Sequence, residues 1–270
     1  MGKNKLKRFA ENSTFHNLFQ PGLKEVFNTD YYMKGNWCGN YFKNNNPVII
    51  ELGCGRGEYT VEMGRRFPER NFIGIDIKGA RIWRGAKSAV EENLANVAFL
   101  RCRIEFIESL FGEDEVSEIW ITFADPQINR HNKRLTGTRF LERYRKFLKS
   151  SGIVHLKTDS LYLHNYTMLL ALENRLEIIE SNLDIYGSGR ADELLSIKTK
   201  YETQFLTSGS AITYMAFRIN TSGKLTEPEI MDFSEITPEY LSQRTRYGGQ
   251  SGEGPCAAPP ELSDCPSRQL

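Results

Sequence analysis

No stretch of this sequence approaches the roughly 18 consecutive apolar residues of a membrane-spanning helix. The basic start, Met1-Gly-Lys-Asn-Lys-Leu-Lys-Arg8, lacks the apolar segment of a secretory signal. Both absences point to a cytoplasmic protein with no membrane partner. Leu6 occupies the place where a myristoylation signal carries Ser or Thr, so the Met-Gly start does not imply lipidation. Cysteine is scarce and odd in number: Cys38, Cys54, Cys102, Cys256 and Cys265 lie far apart with no Cys-x-x-Cys pair. That pattern fits reduced thiols, and neither a disulfide framework nor a metal is expected. A dominant charge is lacking as well, since 35 Lys plus Arg face 34 Asp plus Glu. What is present is 40% hydrophobic residues in 270, enough to close a core and to exclude disorder throughout.

The charge balance conceals an asymmetry. Between Asn220 and Leu270 there are eight acids against four bases, which leaves the preceding chain basic. Between Asn129 and Lys149, eight bases (Arg130, Lys133, Arg134, Arg139, Arg143, Arg145, Lys146 and Lys149) accompany the single acid Glu142. Such a cluster is a candidate polyanion footprint, although an isolated charge run is more often a solvated loop.

Three regions follow from the patterning. Residues 1–45 mix bases and aromatics without a clear period and read as an N-terminal extension that packs on the main domain. Within 46–220, apolar runs at Val48–Leu52, Asn71–Asp76, Val97–Leu100, Glu118–Phe123 and Gly152–Leu156 read as buried parallel strands. Between them, helical spacing recurs at Ala80–Glu92, Ile104–Leu110, Phe140–Leu148 and Leu161–Glu173, which predicts an α/β doubly wound mixed sheet. Leu176–Ser181 and Ala211–Ile219 are expected to close it as an antiparallel hairpin, joined by a polar segment rather than a crossover helix. Residues 221–270 hold most of the prolines, a Gly-rich stretch and no periodicity, and are expected to be a disordered acidic tail.

Glu51-Leu-Gly-Cys-Gly-Arg-Gly57 follows the first of these strands and precedes a helical pattern, the context in which a glycine-rich turn brings backbone amides near a ligand. A nicotinamide loop would space its third glycine one residue later, and Glu51 would face a pyrophosphate unfavourably. The same acid suits the ammonium and sulfonium of S-adenosylmethionine. Asp76 ends the next strand, the place from which a carboxylate accepts hydrogen bonds from ribose hydroxyls. Singly, each acid reads as a strand end or a turn residue; together with Gly53 and Gly55 they read as a cofactor site.

The fourth strand runs into Asp125-Pro126-Gln127, and ligands of open α/β sheets bind beyond the carboxyl ends of strands. Amine methyltransferases commonly follow this acid with two prolines and an aromatic, which Gln127 does not supply. Pyrimidine carbon methylation usually needs a cysteine nucleophile, and the sole Pro-Cys, at Cys256, lies in the tail. Guanine N7 has an in-plane lone pair and no proton to remove, and Asp125, the candidate catalytic residue, would stabilise the positive charge that develops on the purine. Asn129, Arg130, Lys133 and Arg134 then supply donors and charge for a phosphate backbone. His131, His155 and His164 are read as non-catalytic, and Trp83 and Trp120 as core residues.

These residues resemble the bacterial tRNA (guanine-N7)-methyltransferase family through Glu51 to Gly57, Gly74-Ile-Asp76, Asp125-Pro126 with Arg130 to Arg134, His155-Leu-Lys-Thr-Asp159 and Thr199-Lys-Tyr-Glu202. The similarity covers most of the chain from Met1 to about Ile219. It implies a class I methyltransferase (Rossmann-like) domain over 46–220 that methylates N7 of the variable-loop guanosine at position 46 in tRNA. It further implies cofactor contact by Glu51, Gly53, Gly55, Asp76, Arg103 and Asp125. Guanine and tRNA contacts fall on Asp159, on Thr199, Lys200, Tyr201 and Glu202, and on the Asn129 to Arg134 loop, with Asp159 and Glu202 accepting from guanine N1 and N2. Arg103 stands where many members carry Asp or Asn, Gln127 where Trp is usual, and Asn129 where Lys is frequent. Nothing in the sequence points to an obligate protein partner. The competing readings are a methyltransferase for another RNA or a small molecule, and an RNA-binding module without turnover.

Overall fold

The computed structural model describes residues 2–220 and 222–229. Helix α1 (Gly2–Asn12), β1 (Leu18–Phe19) and α2 (Leu23–Val26) precede an alternating run: β2 (Val48–Leu52), α3 (Glu58–Arg66), β3 (Asn71–Asp76), α4 (Gly79–Glu91), β4 (Val97–Arg101) and β5 (Val116–Thr122). There follow α5 (Thr138–Tyr144), β6 (Leu148–Thr158), α6 (Leu161–Glu173), β7 (Glu177–Asn182), α7 (Lys200–Thr207) and β8 (Thr213–Arg218). Eight strands form one sheet in the order β1-β4-β3-β2-β5-β6-β8-β7. The pairings from β1 to β6 are parallel, and β8 runs antiparallel to both β6 and β7.

Central strands read as unbroken apolar runs because both faces of the sheet are covered. Ile50, Leu52, Ile73, Ile75, Ile121 and Leu156 pack into one core with Trp37, Phe111, Leu163 and Leu170. Ile49, Phe72 and Trp120, on the alternate face, meet Tyr59, Met63, Ile185 and Leu195. Gly57 permits the close approach of α3 and α4: its φ is +70°, and a Cβ there would lie 2.5 Å from Phe99 Cε1.

Residues 2–45 pack on this domain and also extend its sheet. Asn12 Nδ2 donates to Gly79 O at 3.0 Å, Asn17 Nδ2 donates to Ala86 O at 3.1 Å, and Leu18–Phe19 pairs beside β4. A strand of two residues is too short to carry a periodic signal. At the other end, ordered chain passes the expected boundary at 220. Glu227 accepts from Thr138 N at 3.0 Å and from Tyr166 OH at 2.6 Å, and Leu225 is buried, so 222–229 lies against α5 and α6. The remainder of the expected tail, with Cys256 and Cys265, falls outside the described residues.

Two sequence expectations are corrected. The link between β7 and β8 contains a helix, α7, nucleated by a capping box in which Thr199 Oγ1 accepts from Glu202 N at 3.1 Å and Glu202 reaches back to Thr199 N. Its few apolar positions concealed the period. Trp83 is half-buried at the surface rather than in the core, donating to Glu11 at 2.9 Å with Arg8 over its ring. Trp120 is a core residue as expected, stacked on His155 with centroids 4.1 Å apart.

Two buried charged groups tie these layers together. Glu51 on β2 accepts from Thr60 N at 2.9 Å, from the Thr60 hydroxyl, and from Thr122 Oγ1 at 2.6 Å, linking β2 to α3 and β5. Burial raises its pKa from 4.5 to about 7, against the opposing effect of these hydrogen bonds. Lys157 on β6 is fully buried and donates to Leu195 O at 2.7 Å and Ile197 O at 2.9 Å, and it pairs with Glu202 at 2.7 Å. Tyr186 OH donates to the same Glu202 oxygen at 2.7 Å. Burial lowers the Lys157 pKa, and the Glu202 charge opposes that shift.

Breaking a buried pair leaves an uncompensated charge, so Lys157→Met should lose about 3–5 kcal/mol in denaturant unfolding. The double variant Lys157→Met with Glu202→Gln should lose less. A single variant as stable as wild type would show the pair to be dispensable. For Glu51, a raised acid pKa means that the folded state holds its proton longer than the unfolded state does. Its stabilising contribution is therefore complete below about pH 4.5 and lost as pH rises through about 7. Ligand-free Glu51→Gln should show a flatter stability profile across that window, read from denaturant midpoints; an unchanged slope would show that another group is responsible.

Candidate active site

Strand order reverses at β2, with β3 on one side and β5 on the other. The crevice beyond the carboxyl ends of strands flanking such a switch is where open α/β sheets bind ligands. The glycine loop leaves β2 there and the Asp125 loop leaves β5. Between them lies a cavity of 820 Å³ whose lining brings together Gly53, Asp76, Arg103, Asp125, Lys133, Asp159 and Tyr201 from among the sequence-predicted residues. Phe123, Ile104 and Phe205 give it apolar walls.

Asp76 is fixed by backbone amides, accepting from Gly55 N at 3.0 Å and from Lys78 N at 2.7 Å. One carboxylate thus braces the glycine turn, where Gly53 and Gly55 have φ of +76° and +57°, against the start of α4. Glu51 does not line the cavity. It lies beneath the loop, with its oxygens directed into the hydrogen bonds to Thr60 and Thr122. Arg103 does line the cavity; its side chain is 61% exposed and lies 3.9 Å from Glu105.

Asp125 is exposed at the rim, and its carboxylate accepts from Gln127 N at 2.9 Å, closing a local turn. Phe123 and Gln127 both adopt φ of +50°, a conformation uncommon for residues other than glycine. Strain of this sort persists where surrounding contacts impose it, and it often marks functional loops. The Phe123 ring, stacked on Phe205 at 6.1 Å, and the Arg134 side chain supply such contacts. Arg134 is buried and donates to Pro126 O at 3.1 Å, Ile128 O at 3.0 Å and Tyr162 OH at 2.6 Å, with its guanidinium 4.4 Å from the Tyr166 ring centroid. It is an internal clamp on the loop, whereas Asn129, Arg130 and Lys133 are exposed.

Asp159 lies half-buried at the end of β6, and burial raises its pKa above the ordinary value. Thr199 and Glu202 are engaged in the cap and the Lys157 pair and do not line the cavity. Lys200 is exposed, its backbone N donating to Glu58 at 2.9 Å. Tyr201 is the member of this motif that reaches the cavity, 47% exposed.

Sequence reasoning passed over Lys157, Phe123 and Phe205. A lysine inside the apolar run of β6 was a visible signal for a buried pair; nothing in the sequence distinguished the two phenylalanines from core residues. His155 is buried between Trp120 and Tyr214 with Nδ1 2.8 Å from Tyr214 OH, and His164 is buried on α6 with its pKa lowered to about 4 by desolvation. Neither lines the cavity. Cys38, Cys54 and Cys102 are free thiols, and no cluster of three or more His, Cys, Asp or Glu suited to a metal occurs among the described residues. Among them, too, no helix is long and apolar enough to cross a membrane.

The methyltransferase family model described as "Putative methyltransferase" matches residues 45–215. A tRNA (guanine-N(7)-)-methyltransferase of Bacteroides fragilis is 51% identical over 230 residues, covering 85% of this chain and 91% of that protein. Its namesake in Christiangramia forsetii is 54% identical over 220 residues, covering 80% and 98%. Among solved structures, the 16S rRNA methyltransferase KamB aligns with a TM-score of 0.51 at 14% identity over 67% of this chain and 91% of that one. A structure titled an antibiotic related methyltransferase aligns at 0.52 and 15% identity, over 72% and 97%. Such structural likeness speaks for the fold alone, a class I Rossmann-like methyltransferase fold. The sequence matches go further: this chain belongs to the tRNA (guanine-N(7)-)-methyltransferase family.

Proposed function

We infer that this protein transfers a methyl group from S-adenosylmethionine to N7 of guanine in tRNA, the guanosine at position 46 of the variable loop. Alongside the family, the observation that carries this reading is the single cavity in which Gly53 and Asp76 face Asp159 and Lys133 with Asp125 at the rim. Such a volume suits a cofactor together with the edge of a base. The donor set fits the cofactor: a glycine turn open to the cavity, a carboxylate on the ribose side, and apolar walls at Ile104 and Phe123. When bound, S-adenosylmethionine supplies an electrophilic methyl carbon on a sulfonium. No metal enters this reading, and the substrate places the work where tRNA is found, in the cytoplasm.

The chain's own contribution is placement and charge. Gly53, Gly55, Asp76 and Arg103 line or brace the cofactor half. Asp159, the half-buried carboxylate open to the cavity, accepts from guanine N1 and N2, and adenine lacks that donor pair. Glu202, fully buried in its pair with Lys157, supports Tyr201 from beneath instead of touching the base. Tyr201 offers a ring for the purine to lie against. Asp125 faces the positive charge that N7 alkylation leaves on the ring, and a fixed carboxylate there lowers the barrier. Alignment of the N7 lone pair with the methyl carbon supplies much of the remainder. Asn129, Arg130 and Lys133, exposed on the adjoining loop, meet the phosphate backbone.

Incubation with labelled S-adenosylmethionine and unmodified tRNA, followed by nuclease digestion, should yield N7-methylguanosine; another methylated nucleoside would refute the base assignment. Asp125→Ala should lower turnover by about a hundredfold or more with tRNA binding largely retained. Arg130→Ala combined with Lys133→Ala should instead weaken tRNA binding and flatten its salt dependence. Equal losses of binding in both variants would contradict this division of roles.

A further inference from the structure

A second depression, an open groove of 1070 Å³, runs between α3 and α4 beside the cavity, and the reaction described above makes no use of it. Seven bases and three acids line it, in a chain whose total charge is only +1. The acids are engaged. Glu62 pairs with Arg65 and Arg66, Glu92 pairs with Arg65, and Glu58 accepts from Lys200 N. The remaining bases, Arg8, Arg56, Arg81, Arg84 and Lys198, are all exposed, and among the described residues none has a carboxylate within 4.0 Å.

Five cations along one groove, with no carboxylate partner among the described residues, repel one another, and an anionic ligand relieves that repulsion. They come from four separate parts of the chain: α1, the glycine loop, α4, and the approach to α7. Aromatic rings lie among them. Trp83 sits half-buried under Arg8, whose guanidinium carbon is 4.7 Å from its centroid, and Tyr201 closes the end nearest the reaction cavity. Arg81 and Tyr201 line both depressions, so the groove adjoins the cavity. The Lys133 loop borders the cavity on the β5 side, and this groove borders it on the α3–α4 side.

We propose that the α3–α4 groove is a second RNA-backbone site, which takes the phosphodiester chain of the tRNA as it leaves the reaction cavity on the side opposite the Lys133 loop. The target nucleotide is thereby gripped from both flanks. Phosphates meet Arg56, Arg84 and Lys198 as point charges and forks, and Trp83 supplies a face for a base or ribose near the far end. This inference rests on the reading of tRNA as substrate.

The test is Arg84→Ala combined with Lys198→Ala, two exposed side chains outside the catalytic cavity. Dissociation constants for unmodified tRNA are measured by filter binding over a salt series, alongside S-adenosylmethionine affinity and turnover. The expected result is tRNA binding weakened at least about threefold at moderate salt, and a slope of log Kd against log salt reduced by about 1.5 to 2. KM for tRNA should rise, with kcat and cofactor affinity unchanged. Unchanged tRNA affinity and slope would overturn the proposal, as would a loss confined to S-adenosylmethionine binding. Chemical acetylation of Lys198 in the unaltered protein provides a check free of folding effects: tRNA should protect it, and equal labelling with and without tRNA would refute the site. If the unaltered protein bound tRNA in this salt-dependent way but formed no N7-methylguanosine, the functional reading would fail while the groove remained supported.

Discussion

The carboxyl of Glu51 is the constraint on which the site depends. It sits at the carboxyl end of β2, where strand order reverses, and its hydrogen bonds reach the first turn of α3 and the last residue of β5. Those elements deliver the two loops that face each other across the cavity. A polar group in so apolar a core is tolerable only because each oxygen has a donor. That satisfaction fixes the glycine turn relative to the Asp125 loop, leaving Asp76 to brace the turn from above. The acid that the sequence offers as a cofactor ligand also holds this frame together.

A similar division recurs on the other wall. Lys157 and Glu202 form a closed pair beneath the surface, and Tyr201 stands above it at the cavity. Arg134 is clamped under the Asp125 loop by Tyr162 and Tyr166, while Arg130 and Lys133 remain at the surface. In each motif the best-connected charged residue is turned inward and its neighbour is presented outward. Desolvating a charge is costly unless its partners are complete, so a buried, fully paired residue gives a rigid base for an exposed one.

The exposed charge is distributed to match. The loop around Lys133 borders the cavity that Asp76, Asp125 and Asp159 line, and the groove around Arg84 shares Arg81 and Tyr201 with it. Positive flanks attract a polyanion, and the acidic centre suits a base edge that donates hydrogen bonds and gains charge on alkylation. The near-neutral total charge conceals this arrangement entirely.

Much of this was legible in the sequence because it rests on local rules. Val48–Leu52, Asn71–Asp76 and Leu161–Glu173 are read with their observed bounds, since buried strands and a long apolar helix carry strong periodic signals. Glu51 to Gly57, Asp76 and Asp125 stand at strand ends, where chain order alone places ligand-binding loops. Helix α7 and the two-residue β1 were missed because short elements draw their stability from tertiary contacts rather than pattern. Local pattern alone carries the alternation of elements, the glycine loop and the family resemblance. Which member of each motif faces the cavity is settled by packing, because direction depends on what lies against a side chain: Tyr201 outward and Glu202 inward, Lys133 outward and Arg134 inward. The Arg84 groove has the same origin, since its cations come from segments far apart in sequence and become one site only when α1, α3, α4 and the approach to α7 fold together.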